Sequence, residues 1–182
     1  TINITANELT LLNDFDPTRL QPDDVFLAAG SRHNFTSIEL DYTSDQRKAL
    51  YFSLNPNFGG FYNGTRTGIG TGLTYRFQPY GSVAMDVDYN RIALEAPFEP
   101  VSIWLIGPRI ELTFSKKLFL TTFIQYNNQI DTLNVNARFQ WRFAPVSDFF
   151  IVYTNNTLTE DFSQFTTRNR ALVAKVTYWL NL

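Results

Sequence analysis

Apolar and polar residues alternate with a period of two along most of this chain from about Asn34 onward. Successive side chains on a strand point to opposite faces, so such segments have one apolar and one polar face. The clearest is 133–143, where Leu133, Val135, Ala137, Phe139, Trp141 and Phe143 oppose Asn134, Asn136, Arg138, Gln140 and Arg142. In 65–77, Ile69, Leu73, Tyr75 and Phe77 oppose Arg66, Gly68, Gly70, Gly72, Thr74 and Arg76. Val83, Met85, Val87 and Tyr89 oppose Asp86, Asp88 and Asn90, and Trp104, Ile106, Ile110, Leu112 and Phe114 oppose Arg109 and Glu111. Thr36, Ile38, Leu40 and Tyr42 oppose Ser37, Glu39 and Asp41. The final segment places Leu172, Ala174, Val176, Tyr178, Leu180 and Leu182 opposite Lys175, Thr177 and Asn181.

Other segments are less regular. Residues 50–62 alternate but carry Pro56 and Gly59-Gly60, which predict a bend or bulge. In 117–127, Phe119 and Phe123 share the side of Gln125 and Asn127. Residues 149–154 read as a short strand that is apolar throughout, and the alternation of 2–12 slips after Ala6. The pattern predicts about ten strands in a single domain over 1–182: a strand and polar loop over 1–33, then a regular meander over 34–182.

Connections rich in turn formers, at 44–47, 78–81, 115–117 and 144–147, alternate with connections at 63–65, 91–102, 128–132 and 155–169, most of them longer. Residues 13–32 would be a further long loop. The predicted class is therefore all-β, an antiparallel up-and-down barrel, either complete or the C-terminal part of a larger one. Short turns at one rim and longer loops at the other are the asymmetry of barrels that cross the bacterial outer membrane.

Alternation alone does not say which face meets solvent, since a soluble barrel also alternates, with its apolar face inside. Three features favour a transmembrane barrel, whose apolar face is outside. Bulky rings gather near strand ends as two interface belts: Phe77, Phe114, Trp141, Phe143 and Tyr178 near the short turns, and Tyr62, Tyr89, Trp104 and Tyr126 towards the other rim. The polar faces carry both signs of charge, which predicts a lumenal network of Arg66, Arg76, Asp86, Asp88, Arg109, Glu111, Arg138, Arg142 and Lys175. Gly68, Gly70 and Gly72 leave one polar face bare, making room for bulky neighbours such as Tyr51.

Composition narrows the picture. Net charge of −2 supplies no basic field for nucleic acid. The absence of cysteine excludes a disulfide framework, a thiolate metal site and a cysteine nucleophile. Aromatics reach 16%, suiting strands and membrane interfaces. No apolar run approaches the roughly 18 to 20 residues of a spanning helix. The start, Thr1-Ile-Asn-Ile-Thr5, has no signal-peptide pattern, so an exported protein is expected to be represented by a mature or truncated chain.

The stretches Leu118-Phe-Leu-Thr-Thr-Phe-Ile-Gln-Tyr-Asn-Asn127, Val135-Asn-Ala-Arg-Phe-Gln-Trp-Arg-Phe-Ala-Pro145, Asp148-Phe-Phe-Ile-Val-Tyr153 and Arg168-Asn-Arg-Ala-Leu-Val-Ala-Lys-Val-Thr-Tyr178, with Phe58-Gly-Gly-Phe-Tyr62, carry a resemblance. They resemble the C-terminal end of a family of large envelope proteins of Bacteroidota and relatives. Those proteins join an N-terminal carbohydrate-binding-like sandwich to a long barrel of unknown function. The resemblance implies an outer-membrane barrel whose upstream strands and sandwich precede this segment. It implies no catalytic or binding residue.

Candidate chemistry is sparse. His33 has Ser31 and Ser37 nearby, but no nucleophile motif surrounds them, and an ordinary surface histidine is expected. Asp86 and Asp88 suit calcium or acid–base work, but opposite Arg66 and Arg76 they read as salt-bridge partners. Glu160 and Asp161 are candidate divalent-cation ligands in a loop, with solvation as the default. The sequons at Asn34 and Asn63 read as Asn-rich turns. Gly68-x-Gly70-x-Gly72 lacks the following helix of a dinucleotide site. No enzyme signal, metal site or cofactor emerges. The expectation is an integral outer-membrane barrel acting as a pore, transport scaffold or docking element, in contact with membrane lipid and with other envelope proteins or upstream strands. The alternatives are a barrel-embedded hydrolase using His33 and a soluble lipid-binding barrel.

Overall fold

In the computed structural model the described residues, 1–160 and 164–180, form eleven strands and no helix. These are β1 (Ile2–Thr10), β2 (Arg32–Leu40), β3 (Tyr42–Thr43), β4 (Leu50–Phe61), β5 (Gly64–Phe77), β6 (Gly81–Ala93), β7 (Val101–Ser115), β8 (Leu118–Asn127), β9 (Thr132–Ala144), β10 (Ser147–Glu160) and β11 (Gln164–Thr177). They build one antiparallel up-and-down sheet in the order β1-β2-β4-β5-β6-β7-β8-β9-β10-β11, with β3 beside β4. β1 and β11 end this order, and no pairing joins them among the described residues.

The strands divide between two compact units. The first holds residues 1–44, 52–71 and 87–104. Its β1 is regular, pairing with β2 from Ile2↔Leu40 to Thr10↔Arg32 despite the broken alternation. The ladder satisfies backbone groups whatever side chains it carries, so polarity alone does not end a strand. Residues 11–31 are an ordered loop, largely exposed but anchored at Thr18 and Leu27. Leu27 pairs with Phe15 as an isolated bridge and is 7% exposed, in a cluster with Ile92, Leu94 and Phe98. Gln21 Nε2 donates to the Glu99 carbonyl at 2.7 Å, and the Glu99 N–H donates back to Gln21 Oε1 at 3.1 Å.

Asp16 organises that loop. Its carboxylate accepts from the Thr18 N–H (2.8 Å), Thr18 hydroxyl (2.8 Å), Leu20 N–H (2.9 Å) and Gln21 N–H (3.0 Å). Partial burial pushes its pKa up, but the hydrogen bonds from Gln21, Thr18 and Leu20 together outweigh it and hold the carboxyl below its ordinary 3.8. A depressed folded value means the loop gains stability above the unfolded pKa and loses it as pH falls through the folded one. Hydrogen exchange at Thr18, Leu20 and Gln21, corrected for intrinsic rates, should therefore accelerate on acidification below about pH 4. Asp16→Asn should already exchange faster at neutral pH. Protection that is flat with pH would refute this role.

The second unit holds residues 45–51, 72–86 and the chain from Leu105 onward. β8, β9, β10 and β11 pair in long registers, including Phe123↔Asn136, Arg138↔Val152 and Phe150↔Lys175. The short turns are where the sequence places them, at 78–80, 116–117 and 145–146. The expected short strand over 149–154 is corrected by β10, which continues to Glu160, and residues 155–160 and 164–169 are strand rather than open loop. A register shift between Asn156 and Thr157 carries the hairpin into its polar extension, and the Thr159 N–H bonds the Asp131 carbonyl at 2.7 Å. Glu160 and Asp161, considered above as cation ligands, lie outside what the structure describes of side chains, as do residues 181–182.

Exposure on β4 and β5 is inverted relative to a soluble sheet. On β5, Ile69, Leu73 and Tyr75 are exposed, whereas Gly68 and Gly70 on the polar face are buried. The same holds on β4, where Leu50, Phe52, Leu54 and Phe58 are exposed and Tyr51, Ser53, Asn55 and Asn57 half-buried. By contrast, Asp86 and Asp88 of β6 are exposed along with Val83 and Met85, and β11 is exposed on both faces. Scattered exposed apolar residues are ordinary; whole strand faces of them are not.

Candidate functional site

The polar face gathers most of the candidate side chains read from the sequence, and each unit builds its own part. In the first unit, Gly68 and Gly70 leave space filled by neighbouring amides and a carboxylate. A Cβ at Gly70 would stand 2.8 Å from Asp88 Oδ1, and one at Gly68 would collide with Asn90 Oδ1 and stand 2.9 Å from Asn57 Nδ2. The bare strand thus accommodates Asn90, Asp88 and Asn57, while Tyr51 lies against Arg76, which corrects the neighbour expected from sequence. Arg66 Nε donates to Asn90 Oδ1 at 2.8 Å, with its guanidinium 5.9 Å from the Phe61 centroid. Asp41 accepts from Asn3 Nδ2 (2.9 Å) and Asn55 Nδ2 (2.7 Å), joining β1 and β4.

In the second unit, Arg76 bonds the Gln46 carbonyl at 2.9 Å and the Tyr51 hydroxyl at 3.3 Å, and lies 4.8 Å from the Tyr51 centroid. Arg109 lies 5.5 Å from the Phe123 ring and Arg142 5.8 Å from Phe119. These pairings account for Phe119 and Phe123 on a polar face: each offers an arginine its electron-rich ring. Arg142 Nε also lies 3.4 Å from Asp148 Oδ1, which accepts from Gln140 Nε2 at 2.9 Å. Glu111 accepts from the Ser82 hydroxyl at 3.3 Å. Arg138 faces Thr121 and Val152, and Lys175 faces Phe150.

The network differs in kind from the expectation. Among the described residues, Arg66 and Arg76 do not ion-pair with Asp86 or Asp88, and Arg142–Asp148 is the only ion pair on this face. Rings, amides and carbonyls take the guanidinium groups because a planar guanidinium stacks and bonds at once. Sequence reading missed Asp148, Gln140 and Asn90 as partners. Asp148 stands out in hindsight as the one charge beginning an apolar stretch.

The predicted interface aromatics sort into clusters. Tyr89 and Trp104 lie 4.4 Å apart. Trp141 lies 5.7 Å from Phe143, which stacks on Tyr178 at 6.4 Å. Trp141, Phe143, Phe149 and Val176 border an open, wholly apolar recess of about 370 Å³. Phe77 lies 6.1 Å from Tyr75; Phe114 is exposed and Tyr126 half-buried. Tyr62 departs from the group. It packs with Phe15, His33, Phe35 and Phe61 under the folded loop, because a positive φ of 53° at the β4–β5 turn directs it there.

His33 is not a surface residue, as the sequence suggested, but 8% exposed beneath Tyr62. Its Nε2 lies 2.9 Å from Ser31 Oγ, yet that hydroxyl donates its one proton to the Ala28 carbonyl at 2.6 Å. His33 therefore donates to Ser31, the reverse of the polarity that activates a serine nucleophile. No group of three or more metal-ligating side chains occurs among the described residues.

The class these features define is an all-β antiparallel meander with an exposed apolar face and a polar face rich in arginine, aromatics and amides. No family model, curated protein or solved structure matches the chain.

Proposed function

We propose that this chain forms all or part of an integral outer-membrane β-barrel, with its apolar face against lipid and its polar face lining a hydrated interior. The observation that carries the reading is the inverted exposure along β4 and β5. Strand lengths of 10 to 15 residues over β4 to β11 meet or exceed the roughly 9 to 11 a tilted spanning strand needs. The Trp141–Phe143–Tyr178 and Tyr89–Trp104 clusters suit a membrane–water interface. In hydrocarbon an open sheet edge is untenable, so β1 and β11 pair with each other or with strands of another segment or envelope protein. The role is passive: a solute pore, or a scaffold for transport or docking, working through the arginine-lined interior.

Two experiments test this. The protein should remain in the membrane fraction without detergent and migrate differently on gels before and after boiling. A soluble monomer in plain buffer would end the proposal. As a pore it should conduct in planar bilayers, and Arg138→Glu should shift its ion selectivity towards cations, because Arg138 has no ion-pair partner among the described residues. A silent bilayer leaves the scaffold role and removes the pore.

A further inference from the structure

We propose that a recess on the polar face of the first unit binds one neutral pyranose ring. It lies across four neighbouring strands and has a volume of about 260 Å³, just under the roughly 300 Å³ at which drug-sized pockets begin. That space suits a single sugar unit rather than a bulky cofactor.

Its lining is a set of uncommitted hydrogen-bonding groups. Asn7 of β1, Ser37 and Glu39 of β2 and Asn57 of β4 border the recess, and none of these side chains has a hydrogen-bond partner among the described residues. Arg66 of β5 commits only Nε, to Asn90, and keeps both terminal amino groups for the recess. These groups are open to water, and a ligand that reproduces those hydrogen bonds takes the place of that water. The set mixes amides and a hydroxyl with one cation and one anion. It therefore complements a neutral molecule whose groups both donate and accept, as sugar hydroxyls do. Phe35 and Phe61 supply the apolar element, their centroids 6.3 Å apart and planes at 62°. A pyranose presents axial C–H bonds from one face, which suits an aromatic surface, while its equatorial hydroxyls reach the rim.

The floor is built for close approach. Gly59 has φ of +145°, and a Cβ there would meet the Thr36 carbonyl at 2.5 Å; a Cβ at Gly60 would meet Phe35 Cβ at 2.7 Å. A side chain at Gly60 would press on Phe35, the ring that borders the recess, and one at Gly59 would push on the β2 backbone. The two glycines, read from sequence as a bend, keep the recess open.

The inference relies on the proposed function only for a hydrated polar face, and it survives if the strands prove not to sit in lipid. Folded full-length protein is titrated with methyl glucoside, maltose, cellobiose and lactose by saturation-transfer NMR and calorimetry, with free phenylalanine as a zwitterionic comparator. At least one sugar should bind with Kd on the order of 1 mM, its ring protons receiving saturation. Glu39→Gln and Asn57→Leu should each weaken binding roughly tenfold, with β-sheet circular dichroism retained; Arg138→Glu in the second unit should leave it unchanged. The proposal is overturned if no sugar binds at about ten times that concentration, if both recess variants bind like wild type, or if phenylalanine binds in preference. Sugar binding by a detergent-free soluble protein would refute the membrane reading and keep this one. A membrane-embedded protein that ignores every sugar would do the reverse.

Discussion

Leu73→Lys is expected to lower the unfolding free energy of the vesicle-inserted protein by about 2 to 4 kcal/mol, the measured range for a cation near the bilayer midplane on a barrel's lipid face. Leu73 sits mid-strand on β5, 50% exposed, on the same face as Ile69 and Tyr75. The size of the effect separates hydrocarbon from water around this face. In water, an exposed leucine replaced by lysine changes stability by about 0.5 kcal/mol or less. In hydrocarbon, the ammonium must lose its hydration or drag water inward. Thr74→Lys, one residue along and on the polar face, serves as the control and should cost much less. Urea unfolding followed by tryptophan fluorescence in phospholipid vesicles reads both. A Leu73→Lys cost no greater than that of Thr74→Lys would place the apolar face out of lipid.

The second large effect is local. Leu27→Ala should cost about 2 kcal/mol, the lower end for a buried leucine, since its small cluster lies at a loop and can partly collapse. Leu27 is the loop's only wholly buried large apolar side chain and packs with Ile92, Leu94 and Phe98. Losing it should loosen residues 11–31 without disturbing the second unit, because stability is spent locally where contacts are local. Trypsin cleavage after exposed Arg19 should accelerate by roughly 30-fold, the equivalent of 2 kcal/mol, if opening precedes cleavage. Exchange protection in β8 to β10 should stay as it is. Equal cleavage rates in variant and wild type would show that the loop is held by Asp16 and the Gln21–Glu99 bonds alone.

The strands were largely legible because alternation at period two is a direct record of a strand with unlike faces. The four regions of tight turns were legible for a related reason: their chain reversals demand particular residues, as at Gln78-Pro-Tyr-Gly81 and Ala144-Pro-Val146. The polar extension of β10 and β11 was not. Asn155, Thr157 and Thr159 pair through backbone groups, and those groups are the same in every residue. Nor was the burial of His33 legible, since Tyr62 covers it through a turn conformation that local sequence leaves open.

The sequence alone established the strand class, the two faces of the regularly alternating strands, and the absence of thiol chemistry, since these depend only on local period and composition. Tertiary structure decided three matters. It showed that the apolar face is the more exposed one along β4 and β5, because exposure depends on what neighbouring strands cover. It showed that Arg66, Arg76 and Arg109 rest on rings, amides and carbonyls rather than on Asp86 and Asp88, because partner choice depends on register and cross-strand reach. It also gathered Asn7, Ser37, Glu39, Asn57 and Arg66 around one recess, although 59 positions of sequence separate the first from the last, because pairing neighbouring strands erases distance along the chain.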